Sequence, residues 1–174
     1  METKKGETVS IMRERIIAES IKNLQNEGLK FSVDTLAEKL KISKKTIYKY
    51  FPTKEALALA MYEKYYSCSI NRAKDMLAKE ETDEHPALLH LYYDSKKMIR
   101  REIFNKYTLN EIISSYALGQ NDILWSLISS TFKNPFFTND KETARTIVDG
   151  TFEKLCNTQQ SPDTVIERLV CILW

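Results

Sequence analysis

The residues most able to do chemistry lie in residues 31–54, FSVDTLAEKLKISKKTIYKYFPTK. Between residues 30 and 54 seven lysines stand against two carboxylates, Asp34 and Glu38, a local net charge of +5. Hydroxyls at Ser32, Thr46 and Thr53 and the phenols of Tyr48 and Tyr50 are interleaved with them. Lysines neutralise phosphates and release condensed counterions, and hydroxyls donate to phosphate oxygens. The chemistry on offer is therefore binding to a phosphate-bearing polymer rather than bond making. Nothing elsewhere nominates a reaction. His85 and His90 are five residues apart, off a common helical face, and the chain has no phosphate-binding P-loop, no HExxH and no GxSxG. Cys68, Cys156 and Cys171 are scattered, odd in number and not at metal-ligand spacing, which fits reduced thiols. No catalytic residue, metal or cofactor is expected, and the chain does not read as an enzyme.

The elements that must position these groups follow from caps and apolar spacing. Ser32 suits a helix N-cap and Asp34 suits the positive end of that helix. Val33, Leu36, Ala37 and Leu40 recur three and four apart on one face. Lys41-Ile42-Ser43 breaks the pattern, with Ile42 as an apolar plug and Ser43 as the next cap. A short helix from Lys44 to about Tyr50 then points Ile47 and Phe51 inward. Lys44, Lys45, Thr46, Tyr48, Lys49 and Tyr50 are left outside or at its edges. Phe51-Pro52-Thr53 ends it, and Thr53 caps a further helix with Glu55 in its first turn. Two helices joined by a three-residue turn, the second with a cationic and aromatic face, form a helix-turn-helix sized for the roughly 12 Å major groove.

The same residues resemble the signature of the TetR family of bacterial transcriptional regulators. They are Ile17, Ala18, Leu24, Gly28, Ser32, Leu36-Ala37, Ile42-Ser43, Thr46-Ile47-Tyr48, Tyr50-Phe51, Lys54 and Leu57. Two positions depart from it. Lys41 stands where the family usually has Gly, and Lys45 where it often has Gly or Ala, so target sequence does not transfer from relatives. The resemblance implies an all-α homodimer whose last two helices pair with their two-fold mates as a four-helix bundle, and a ligand-responsive second domain. It also implies that basic residues near the start of the first helix (Lys4, Lys5, Arg13 and Arg15 here) can touch the DNA backbone. On this reading Lys44, Lys45 and Tyr48 face base edges, with Lys49 beside them, and Ser32, Thr46, Tyr50 and Lys54 hold phosphates.

Composition bounds the rest. The chain has 174 residues, enough to bury a real core as one large or two small domains. Only four Gly and four Pro favour long helices over sheets. No run of about 18 apolar residues suggests a membrane span, and METKKGETVS lacks the apolar stretch of a signal peptide. A cytoplasmic protein is expected. The overall charge of +2 conceals a split: residues 1–54 carry +5 and the remainder −3. The basic end is the end with the helix-turn-helix, which a uniform solubilising charge would not produce.

Along the chain, residues 1–8 read as disordered and a first helix runs from about Val9 to Glu27 on the stripe Ile11, Ile16, Ile17, Ser20, Ile21 and Leu24, stopped by Gly28. A long helix follows from Lys54 to about Lys79. An acidic break at residues 80–84 precedes a helix starting at His85-Pro86. A capping box at Thr108–Glu111 restarts a helix that Gly119 ends. A helix over about Asn121–Phe132, a loop at residues 134–137, and two final helices complete the chain. In the first of these, Gly150 allows a close approach; the second is announced by Ser161-Pro162. The expected fold is all-α, with a three-helix helix-turn-helix DNA-binding domain in residues 1–53 and a helical ligand-binding and dimerisation domain in residues 54–174. Residues 62–137 are rich in amphipathic aromatics. Tyr66, Tyr92, Tyr116 and Trp125 are the chosen ligand contacts, and few internal cations favour a neutral or cationic aromatic ligand. Ile147, Phe152, Leu155, Val165, Leu169 and Ile172 are the dimer candidates. The function expected is a sequence-specific repressor binding a near-palindromic operator in double-stranded DNA as a homodimer, released by an unknown small-molecule effector, with no membrane partner. The alternative is a helical interaction or small-molecule-binding protein on the same scaffold that does not bind DNA.

Overall fold

A computed structural model describes residues 2–27, 32–79, 84–99, 111–158 and 160–174, with residues 2–9 and 27 described by their backbone. All of its regular structure is helical: α1 (Glu2–Glu27), α2 (Val33–Leu40), α3 (Lys44–Tyr50), α4 (Lys54–Ala78), α5 (His85–Met98), α6 (Glu111–Ser129), α7 (Pro135–Asn139), α8 (Lys141–Cys156) and α9 (Asp163–Leu173). No helix among the described residues is long and apolar enough to cross a membrane.

The described residues of Met1–Tyr65 and Arg100–Ser115 form one compact unit, and those of Tyr66–Ile99 and Tyr116–Trp174 form another. In the first, Ile16, Ile17, Leu36, Ile47, Phe51 and Leu57 make a buried cluster drawn from α1 to α4. Each such side chain contributes roughly 1.5–3 kcal/mol by leaving water. Two buried polar groups on α1 are placed by their partners. Ser20 donates to the Ile16 carbonyl, and Asn23 Oδ1 accepts from Lys39 Nζ at 2.6 Å, tying α1 to α2.

The second unit has its own core. Leu88, Leu89, Tyr92 and Tyr93 of α5 pack with Trp125 and Ile128 of α6, Val148 and Phe152 of α8, and Ile166 and Leu169 of α9. Its last residue is held by side chain as well as backbone. Trp174 stacks on His85 with ring centroids 4.3 Å apart, and its indole N–H donates to Thr131 Oγ1. The α6–α7 connection is pinned to α9, with Lys133 and Asn134 amides both donating to the Leu173 carbonyl.

Several local expectations are corrected. The helix at the N-terminus begins at Glu2 rather than near Val9, and Ile11 lies on its exposed side. Gly119 does not end a helix: α6 continues through it to Ser129, because one glycine costs only about 1 kcal/mol in a helix interior and the packing of Leu124, Trp125 and Ile128 outweighs that. The expected loop at residues 134–137 is the start of α7. The Asn134 carboxamide caps it by accepting from the Phe136 amide, and Pro135 sits in its first turn. Gly150 has nothing near the place a Cβ would occupy, so it makes no close approach. The Gly28 stop and the capping-box residues Thr108 to Asn110 lie outside the described residues.

Candidate nucleic-acid interface

Both reading helices are built by the capping the sequence suggests. Ser32 Oγ accepts from the Thr35 amide at 3.2 Å, and Ser43 Oγ from the Thr46 amide at 3.1 Å. Each of these hydroxyls also bonds its partner threonine's hydroxyl, at 2.9 Å in both cases. Thr53 Oγ1 accepts from the Ala56 amide and starts α4.

The turn between α2 and α3 closes as a Schellman motif. The Ile42 amide donates to the Ala37 carbonyl and the Lys41 amide to the Glu38 carbonyl. Lys41 consequently adopts φ 54° and ψ 44°, the one non-glycine residue with positive φ among those described. Ile42 is half-buried against the cluster that contains Ala37, the apolar contact that accompanies this motif.

With Ile47 and Phe51 buried beneath it, α3 presents Lys44, Lys45, Tyr48 and Lys49 to solvent. Thr46 and Tyr50 are half-buried, and Tyr50 packs against the core cluster. Lys54 is exposed at the first position of α4. Ser32 is half-buried and its hydroxyl is engaged in the cap. Arg13 of α1 lies 5.2 Å above the centre of the Phe51 ring. Three contacts here escape a reading of sequence alone. Lys44 makes an ion pair with Asp34 of α2, and the hydrogen bond and charge of that carboxylate raise its basicity. The Asn23–Lys39 bond and the Arg13–Phe51 contact are the others. All join residues distant in sequence or on different helices, where no periodic signal reaches.

Residues 16–61 match the model of the tetR family of bacterial regulatory proteins. This stretch, about a quarter of the chain, is similar to the N-terminal domain of that family. The matched span runs from the buried Ile16 through α2 and α3 into α4, and so contains the whole reading unit. The chain is also similar in fold to a solved structure. A crystal structure of a TetR-family transcriptional regulator from Bordetella parapertussis 12822 superposes with a TM-score of 0.59 at 18% identity, covering 93% of each chain. No curated protein matches the sequence. Against the family's usual glycine, Lys41 now has a structural account: the position needs left-handed backbone, which glycine adopts without steric cost.

In the second unit, the ligand candidates fall in two settings. Tyr92 of α5 and Trp125 of α6 are brought together, with ring centroids 5.1 Å apart. Tyr66 is fully buried on α4, and Tyr116 half-buried on α6. Burial first, and then the Asp149 carboxylate, push the Tyr92 phenol above its ordinary range. It therefore stays a neutral donor, and its hydroxyl donates to Asp149 Oδ1 at 2.9 Å.

Charged groups that the sequence reading did not place surround this bond. Lys96 Nζ is 3.0 Å from Asp149 Oδ2, and Arg145 pairs with Asp122 and approaches Asp149. Ser95, fully buried, donates to Asn121 Oδ1 at 2.6 Å. Only the Arg145–Asp149 spacing of four on one helix was available as a signal; the other pairs cross between helices. Among the described residues, no group of three or more His, Cys, Asp and Glu is arranged to hold a metal ion.

The six dimer candidates on α8 and α9 separate. Phe152, Leu155 and Leu169 are buried in the unit's own core, Phe152 with no exposed area, and Val165 is half-buried against it. Ile147 and Ile172 face solvent, 40% and 45% exposed.

Proposed function

We propose that this chain is a sequence-specific transcriptional regulator that binds a near-palindromic operator as a homodimer and releases it on binding a small molecule. The observation that carries the reading is α3: a capped two-turn helix, anchored by Ile47 and Phe51, whose free face is lysine and tyrosine. Lys44, Lys45 and Tyr48 read base edges with Lys49 alongside. Ser32, Thr46, Tyr50 and Lys54 meet phosphates, the hydroxyl of Ser32 only if its cap bond is shared. Two such heads in successive major grooves would stand roughly 34–36 Å apart.

In this proposal residues 1–53 are the reading head, and residues 54–174 bind the effector and dimerise. Ile147 and Ile172 carry the contact between copies, since a side chain with no exposed area cannot reach a second chain without refolding. The effector is met by Tyr66, Tyr92, Tyr116 and Trp125. It acts through α4, whose residues belong to both units. It can shift that helix only by binding one of its arrangements more tightly.

The test is selection of bound sequences from random duplex DNA by the purified chain. Enrichment of a two-fold-related motif is expected. Recovery of no preferred sequence, with no measurable duplex affinity at low salt, would remove DNA binding from the reading.

A further inference from the structure

The first turn of α3 is electrostatically unfavourable by itself. It holds Lys44 and Lys45 and no acidic residue, where the partial positive charge of a helix N-terminus disfavours cations. The compensating charge comes from another helix. Asp34, in the first turn of α2, forms an ion pair with Lys44 in which both side chains are more than half exposed. Such a pair is open to exchange, because a phosphate oxygen can approach the same ammonium from solvent.

We propose that Asp34 is a positioning residue that occupies Lys44 in the free protein in place of a DNA phosphate and is displaced when duplex binds. The inference rests on the DNA-binding reading above and refines it: Lys44 moves from the base-edge group to the phosphate contacts, and Lys45 and Tyr48 are left to read bases. In the exchange, the Lys44–Asp34 contact breaks and a Lys44–phosphate contact forms. DNA releases a condensed cation at that phosphate, while Asp34 takes one up from solution. The net ion release from this contact is then close to zero, although the contact is made. Sequence-independent attraction is thereby reduced, and a larger share of affinity is left to the base-reading side chains. The raised basicity of Lys44, due first to its hydrogen bond with Asp34, agrees with a formed contact in the free chain.

The experiment measures affinity for a mixed-sequence duplex against salt concentration for the full chain, Asp34→Asn, Lys44→Gln and the double variant. Asp34→Asn should steepen the slope of log K against log salt by about 0.9, the value of one additional phosphate contact. Adding Lys44→Gln should cancel that change. Lys44→Gln alone should leave the slope close to that of the parent. Asp34→Ser, which suits the start of a helix, should reproduce Asp34→Asn and separates the effect from any loss of fold.

An equal steepening with Gln at position 44 would show that Asp34 acts only as a distant charge, and would overturn the inference while leaving DNA binding intact. An unchanged slope in Asp34→Asn would overturn it as well. Absence of duplex affinity in the parent chain at low salt would instead bring down the DNA-binding reading itself.

Discussion

Lys41 shows how one residue can conflict with the backbone it occupies. Left-handed backbone costs a residue with a Cβ roughly 1–2 kcal/mol, and Lys41 sits there because the turn between α2 and α3 needs it. Lys41→Gly should therefore raise stability by about 1 kcal/mol, seen as a higher midpoint in thermal unfolding. A lower midpoint would mean that the lysine side chain has a stabilising contact that outweighs the strain. Ser43 gives the opposite case. Ser43→Ala removes the acceptor for the Thr46 amide and should cost about 1 kcal/mol. For DNA contacts, Lys54→Ala should weaken binding to every duplex alike and reduce the salt slope by about 0.9. Lys45→Ala and Tyr48→Ala should instead alter preference among operators, and a uniform loss would demote them to backbone contacts.

Among the elements, α8 and α9 each have a buried face and an exposed one, and the proposal gives the exposed faces to association. The inner face of α8, carrying Val148 and Phe152, closes the core of the second unit with Ile166 and Leu169 of α9. Phe152→Ala should accordingly lower the stability of the fold by about 3–5 kcal/mol, and a charge at Phe152 or Leu169 should unfold that unit. The outer face is where association is tested. Ile147→Glu with Ile172→Glu should leave the helical spectrum and unfolding midpoint close to the parent's and shift sedimentation to monomer. A parent chain that already sediments as a monomer would refute this interface. The long helix α4 was legible at both ends: Thr53 caps it as its position suggests, and it stops at Ala78. The break expected at Gly119 was not, because a glycine signals a stop only where tertiary packing does not carry the helix onward.

At the scale of the whole molecule, proton binding couples to the second unit through its termini. His85, at the start of α5, stacks on Trp174 at the end of the chain. Burial, and then the charge of Lys133, lower its pKa below the ordinary 6.5. The unfolded chain therefore takes up this proton at higher pH than the folded one does. The contribution is fully present above about pH 6.5 and is lost as pH falls through the folded value. His85→Gln should narrow the difference in unfolding midpoint between about pH 7.5 and about pH 5.5. A difference as wide as the parent's would place the proton effect elsewhere.

Sequence alone determined the all-helical class, the helix-turn-helix and the identity of its exposed cations, because caps, apolar spacing of three and four, and local charge act within a turn or two of the chain. Ser32, Ser43, Ile47 and Phe51 are legible for that reason. Tertiary structure alone decided which partners those cations meet and which apolar faces stay open. Asp34 reaches Lys44 across a turn, Asp149 gathers Tyr92 and Lys96 from α5 and Arg145 from its own helix, and Phe152 turns inward while Ile147 turns out. Those outcomes depend on how helices cross, and helical periodicity marks an apolar stripe without stating what will cover it.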